Sequence, residues 1–321
     1  MLRAGGPAVS LQRSAHHRSY VALMTLREST ARTRELGAEL RRIREAAQFT
    51  GHTLALKLGW SPSRVSRIET GDRRASEVDA AIYAAFCGAT GEDLDRVLDL
   101  TQHTHDKHWL HIRGEQLSDE LRSLIALEST AEALVYYEPM VIPGLIQTED
   151  YARALLLETE LVPADAIGSV VRIRMERQRL LRRLNPPNVT FYIHENALRM
   201  PVGGKRIMHE QILHLLLTCS TPPCRVRVVP TRVGARAGAL GPFTWAAHHE
   251  HNPVIYVEHL TTSLFLEGLY DKLAYRHKLD RLSKLALDAG ESRQFLADLA
   301  SEYEREVGDH DPPAGPSPDL A

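Results

Sequence analysis

The residues with the most specific chemistry lie between Thr50 and Gly71, in the run TGHTLALKLGWSPSRVSRIETG. Ser63, Arg64, Ser66 and Arg67 are interleaved with Val65 and Ile68. On one helix, the apolar pair would face a core and the polar four would face solvent. A guanidinium can donate two parallel hydrogen bonds to guanine O6 and N7, and serine hydroxyls can reach either base edges or phosphates. Thr50, Gly51 and His52 open the preceding helix, where unpaired backbone N–H groups suit a phosphate. Lys57, Thr70, Arg73 and Arg74 flank them as further phosphate contacts. These groups fit recognition of double-stranded DNA, with Ser63, Arg64, Ser66 and Arg67 as the base readers and Arg67 first among them.

Other constellations carry less. His103, His105, His108 and His111 with Asp106 form the densest imidazole cluster, but no thiolate lies near and the spacing is not that of a zinc finger. An exposed polar linker is the simpler account. His248, His249, His251 and His259 surround an expected hairpin and are weaker still. Cys219 and Cys224 lack a second pair, so they read as semi-buried thiols. Gly203-Gly204-Lys205 lacks the upstream glycine and the following Ser/Thr of a phosphate-binding loop. No G-x-S-x-G elbow appears. No metal, cofactor or catalytic activity is therefore expected. Tyr136, Tyr137, His194, Arg199, Trp245 and Tyr256 are the candidate lining of a ligand pocket, since aromatics on strands face either a core or a cavity.

The elements needed to hold the DNA-reading residues are legible. Leu36, Leu40, Ile43 and Ala47 recur at helical spacing from Arg34. Thr50 is an N-cap for a helix carrying Leu54, Ala55 and Leu58, which Gly59 ends. Ser61-Pro62 caps and starts the next helix, which runs through Val65 and Ile68. Two more helices fit 76–87 and 91–101. Beyond the His-rich stretch 103–118, helices fit 118–129, 149–160, 163–184, 205–218, 268–288 and 291–306. Strands fit 133–138, 188–194, 224–229, 242–247 and 253–258.

The run LRRIREAA…LALKLGWSPSRVSRIETG resembles the lambda-repressor-like (XRE) helix-turn-helix domains. The resemblance implies that Arg44 and Glu69 pair as a structural brace, and that Pro62, Ser63 and Arg67 occupy base-reading positions. Pro62 has no side-chain donor, which moves base reading toward Ser63, Arg64, Ser66 and Arg67. The segments VYYEPMVIPGLIQTEDYARALL, ENALRMPVGG, VRVVP and GPFTW…VIYVEH resemble the C-terminal domain of actinobacterial regulators of the WhiJ type. That resemblance implies a domain without established catalysis, encoded beside a small partner protein and antitoxin-like.

The expected fold is an N-terminal all-α, five-helix lambda-repressor-like domain over 34–102, a linker over 103–118 and a C-terminal α+β domain over 119–306. Residues 1–33 read as a disordered tail, or as a mis-started one with Met24 as the alternative start, and 307–321 read as a disordered Pro-rich tail. Composition agrees with a globular chain of 321 residues, 43% apolar and 25% charged. No apolar run approaches the ~20 residues of a membrane span, and three cysteines fit a reducing cytoplasm. The net charge of −2 hides an asymmetry: residues 32–74 hold ten Lys/Arg against five Asp/Glu, whereas 75–321 hold 25 against 35. A basic head on an acidic body suits a polyanion partner. The expected function is a cytoplasmic, nucleoid-associated transcription regulator that acts as a homodimer on DNA. Its body would bind a small neighbouring-gene protein or a small-molecule effector. The alternative is an antitoxin-like protein that sequesters the small partner and binds DNA only for autoregulation.

Overall fold

The computed structural model describes residues 29–102, 108–112, 118–160, 162–220, 222–238, 241–248, 251–259 and 262–308. The chain divides into two compact units. The first comprises residues up to 132 together with 245–278, and the second comprises 133–244 with 279 onward.

The first unit begins with five helices: α1 (Ala31–Ala46), α2 (Gly51–Leu58), α3 (Pro62–Glu69), α4 (Glu77–Phe86) and α5 (Gly91–Gln102). Each cap follows from sequence. The hydroxyls of Thr30, Thr50, Ser61 and Ser76 accept from N–H groups of their own first turns, and Pro62 sits in the first turn of α3. Gly59 ends α2 at φ 68°, a left-handed conformation that favours glycine. Leu36, Leu40, Ile43, Leu54, Ala55, Val65, Ile68, Tyr83, Val97 and Leu100 share one core. Burying each large side chain contributes about 1.5–3 kcal/mol.

Strand β1 (His108–Ile112) pairs antiparallel with β7 (Thr262–Leu266), and β7 pairs antiparallel with β6 (Val254–Glu258). The stretch expected to be a plain linker thus contains a strand. Helix α6 (Ser118–Thr130) meets α1 through Ser123, whose hydroxyl donates to Glu35 Oε1 at 2.5 Å. Ser29, Thr30, Arg32, Thr33 and Arg34 are buried, although 1–33 reads from sequence as a tail. Their surroundings explain it. Ser29 Oγ donates to Gly71 O at 2.7 Å, and Ala31 N donates to Glu267 Oε1 at 2.7 Å. The expectations for 1–28 and 309–321 lie outside the described residues.

The second unit is built on three parallel strands, β2 (Ala133–Glu138), β3 (Asn188–His194) and β4 (Cys224–Val229), with Tyr136 opposite Phe191 and Ile193 opposite Val228. The largely apolar runs of β2 and β3 are what a parallel sheet requires, whereas β4 (CRVRVV) interleaves Arg225 and Arg227 with its buried residues. Its helices include α7 (Glu149–Thr159), α8 (Ile167–Arg177), α9 (Glu195–Arg199) and α10 (Lys205–Cys219). Helix α10 packs against α11 (Ala289–Gly308). The outer edge of β4 is covered: Val228 N donates to Ser292 Oγ, and Val228 O accepts from Leu287 N. A covered edge cannot pair with another chain. Of strand β5 (Phe243–Ala247) and the helix Leu269–Leu285, residues 245–247 and 269–278 are counted with the first unit and the rest with the second, and the strands and helices together make an α+β body. No helix among the described residues is long and apolar enough to cross a membrane.

Candidate nucleic-acid interface

Helices α2 and α3 meet across the turn at Gly59-Trp60-Ser61. Leu54, Ala55, Val65 and Ile68 are buried at their junction, while Pro62, Ser63, Ser66 and Arg67 are exposed along α3. Among the described residues, the Arg67 side chain has one hydrogen bond, Nε donating to Ser63 O at 3.3 Å, and Arg67 is exposed.

Arg64 departs from the expectation of a free outward side chain. Its guanidinium lies over the Trp60 ring, 4.0 Å from the centroid, and its Nη2 pairs with Asp79 Oδ1 at 2.8 Å. Trp60 sits in the turn and Asp79 in the first turn of α4, so Arg64 ties α3 to both. Sequence reasoning missed these partners. Asp79 stands three residues after Ser76, which explains it as an N-terminal acidic residue and says nothing of its pairing with Arg64.

The Arg44–Glu69 brace is present. Arg44 Nε and Nη2 donate to Glu69 Oε1 and Oε2 at 2.7 and 2.9 Å, and Nη1 donates to Phe49 O at 2.6 Å. Tyr83, which sequence reasoning did not single out, adds a hydrogen bond from its hydroxyl to Glu69 Oε1 at 2.5 Å. The hydrogen bond to Glu69 raises the Arg44 pKa. Burial, with Glu69 beside it, pushes the Tyr83 phenol up. Both groups hold their protons across the working range.

The flanking cations sort into exposed and engaged. Lys57 is exposed beside the Phe49 ring at 5.1 Å, and Arg73 and Arg74 are exposed after α3. Thr50 and His52 are exposed at the start of α2 and Gly51 is half-buried, with Thr50 Oγ1 accepting from Thr53 N. Thr70 donates to Asp72 Oδ2 at 2.9 Å. Of the remaining cations of the basic head, Arg32 pairs with Asp99, Arg41 with Glu45, and Arg42 with Glu39 and Asp93, while Arg34 donates from Nη1 to Ser29 O at 2.8 Å.

The expected pocket residues fall in both units. Tyr136 stacks on Phe191 with ring centroids 5.2 Å apart, and the Tyr137 hydroxyl donates to Ala237 O at 2.7 Å. His194 Nδ1 accepts from Asn196 N, with burial holding its imidazole pKa down. Arg199 pairs with Glu195 and Glu302. These four belong to the second unit. Trp245 and Tyr256 are buried in the first, where Tyr256 packs on Phe265 at 4.9 Å. All of them except Arg199 are buried. A small cavity in the first unit, lined by residues that include Ala31, Arg34, Ser123, Leu127 and Phe265, involves none of the six. Among the described residues, no three His, Cys, Asp or Glu side chains stand together as a metal site. His103 and His105 lie outside the described residues, and the side chains of His108 and His111 are not described.

An exposed, arginine-bearing second helix set across a tight turn on a five-helix core defines a helix-turn-helix DNA-binding regulator. Comparison agrees: a helix-turn-helix domain model matches residues 35–97, and a domain of unknown function (DUF5753) matches residues 121–298. The second match spans more than half of the chain, which belongs to the DUF5753 family. No curated protein and no solved structure matches the chain.

Proposed function

We propose that this protein is a cytoplasmic, non-catalytic transcription regulator of the XRE type that reads its operator through α3. The observation that carries this reading is the exposure of Ser63, Ser66 and Arg67 on the face of α3 opposite buried Val65 and Ile68. Arg67 is the principal base reader. Lys57, Arg73, Arg74 and the first turn of α2 contact phosphates, and Arg64 holds α3 against Trp60 and Asp79. The protein acts as a dimer, since two recognition helices about 34–36 Å apart reach successive major grooves of a near-palindromic site. The C-terminal domain supplies dimer contacts and binds a regulatory partner. A partner alters DNA affinity only to the extent that it distinguishes the DNA-competent arrangement from the other.

The test is selection of bound sequences from random duplexes, followed by titration of the selected site and a scrambled one at several salt concentrations. A two-fold related consensus bound at least roughly a thousandfold more tightly than scrambled DNA is expected. Equal affinity for both would overturn the proposal.

A further inference from the structure

The second unit presents a surface that neither the DNA-reading helix nor the core accounts for. From Ile167 to Asn185 the chain carries Arg172, Arg174, Arg177, Arg179, Arg182 and Arg183 against one acid, Glu176, and no lysine. Helix α8 ends at Arg177 and a 3-10 turn continues it to Arg182. Two of the six are tied inward: Arg174 Nη1 donates to Gln147 Oε1 at 2.7 Å, and the Arg177 side chain packs over Gly144. Arg172, Arg179 and Arg182 are exposed, and among the described residues they make no side-chain hydrogen bond or ion pair. In a body with an excess of acidic residues, three unpaired guanidinium groups on one short segment are a local reversal of charge.

Apolar side chains lie among these cations. Leu184 is 96% exposed and Ile173 is 37% exposed. The neighbouring helix α10 adds Leu217 at 70% and Leu213 at 42%. Arg182 links the two elements: burial first, and the Arg182 charge second, lower the pKa of His214 on α10. Phosphates gain nothing from exposed leucines, and phosphate-contacting surfaces draw on Lys, Ser, Thr and Asn as well as Arg. Protein interfaces, in contrast, are enriched in Arg and depleted in Lys, and their centres are apolar.

We propose that this surface, with Arg172, Arg179, Arg182 and Leu184 at its centre, docks an acidic protein segment that places carboxylates on the arginines and an apolar side chain over Leu184. Charge complementarity selects the partner, because each free guanidinium can take a carboxylate in a bidentate pair. The proposal takes up the partner-binding part of the proposed function and is independent of how α3 reads DNA.

The experiment titrates the full chain with two labelled peptides of equal length and with a non-operator duplex. One peptide carries glutamate and leucine at helical spacing, and the other carries glutamate alone. The glutamate–leucine peptide is expected to bind the more tightly. The Arg172→Glu/Arg179→Glu/Arg182→Glu variant should weaken that peptide by roughly tenfold or more. Leu184→Ser should weaken the glutamate–leucine peptide but not the all-glutamate one. All four positions are exposed, and an unchanged melting temperature confirms that the fold is kept. Operator affinity of the peptide-free variant should match that of the unaltered chain, so a failure of DNA reading is registered separately from a failure of this surface. Undiminished peptide binding by the triple variant, or no peptide binding at low salt, overturns the proposal. Loss of duplex affinity with a flatter salt dependence, without loss of peptide binding, overturns it in favour of a phosphate contact.

Discussion

Arg64 and Arg67 are three residues apart on the same short helix and carry the same group, yet their surroundings give them different work. Among the described residues, the Arg67 side chain bonds only to the Ser63 carbonyl one turn earlier, so moving it to a base edge breaks one long hydrogen bond. Arg64 would have to leave both the Trp60 face and Asp79. Arg67→Ala is therefore expected to reduce the preference for cognate over scrambled DNA by about 1–3 kcal/mol, one bidentate base contact. Arg64→Ala should keep that preference and lower the melting temperature. Arg73→Ala should weaken both duplexes alike and reduce the salt slope by about one. Titrations of the three variants on both duplexes decide this, and equal loss of preference in Arg64→Ala and Arg67→Ala would return Arg64 to the base readers. Arg44→Ala leaves the Glu69 carboxylate with Tyr83 as its remaining side-chain partner, a change expected to cost about 3–5 kcal/mol of stability. Spacing in the sequence makes the exposed face of α3 legible. It does not show Asp79 reaching Arg64, because that contact depends on how α4 packs.

At the scale of elements, the helix-turn-helix rests on close backbone approach. A Cβ on Gly37 of α1 would overlap the carbonyl oxygens of Ile68 and Glu69, the latter at 2.6 Å, so the first helix touches the end of α3 with no side chain between them. Gly71, at φ 76°, sits against the Arg34 backbone and has its carbonyl bonded by Ser29. Gly37→Ala should push α3 away from α1 and cost about 1–3 kcal/mol, the range for overpacking, seen as a lower unfolding midpoint in urea. A midpoint unchanged within error would show that α1 and α3 can separate freely. The helices were readable because their caps, Ser61-Pro62 and Thr50, and their apolar spacing agree. Strand β7 was not, because its alternation is inverted: the buried positions are Ser263 and Phe265, while Leu264 and Leu266 are half-exposed. Strand β1 lies in a His-rich stretch whose composition reads as linker, and only its pairing with β7 makes it a strand.

Across the whole molecule, charge is distributed more finely than a basic head on an acidic body. Several head arginines are paired, Lys57, Arg67, Arg73 and Arg74 are exposed around α3, and the second unit carries its own exposed arginines. Two imidazoles, buried His194 and half-buried His248, contribute to the acid side of stability. Burial lowers His194, whose Nδ1 accepts a backbone N–H, while neighbouring Glu195 opposes the shift. Burial first and the Arg34 and His251 charges next push His248 down to about 4, opposed by its hydrogen bond to Thr130 O. Each folded pKa lies below the unfolded value near 6.5, so the unfolded chain binds more protons once pH drops below that value. The stability that the neutral imidazoles contribute is therefore fully present above pH ~6.5 and is lost as pH falls toward 4. Glu35 and Glu267, raised chiefly by burial, work in the opposite direction. The share of these two histidines is isolated by His194→Asn/His248→Gln, which removes both titrations while keeping a capping acceptor and a donor to Thr130 and leaving His214, also lowered by burial, in place in both proteins. Melting temperatures measured from pH 7.5 to 4.5 should fall more steeply for the unaltered chain than for this variant, so that after correction for their offset at pH 7.5 the two curves separate progressively below pH ~6.5. Parallel curves across the whole range would mean that these imidazoles titrate as freely in the folded protein as in the unfolded chain.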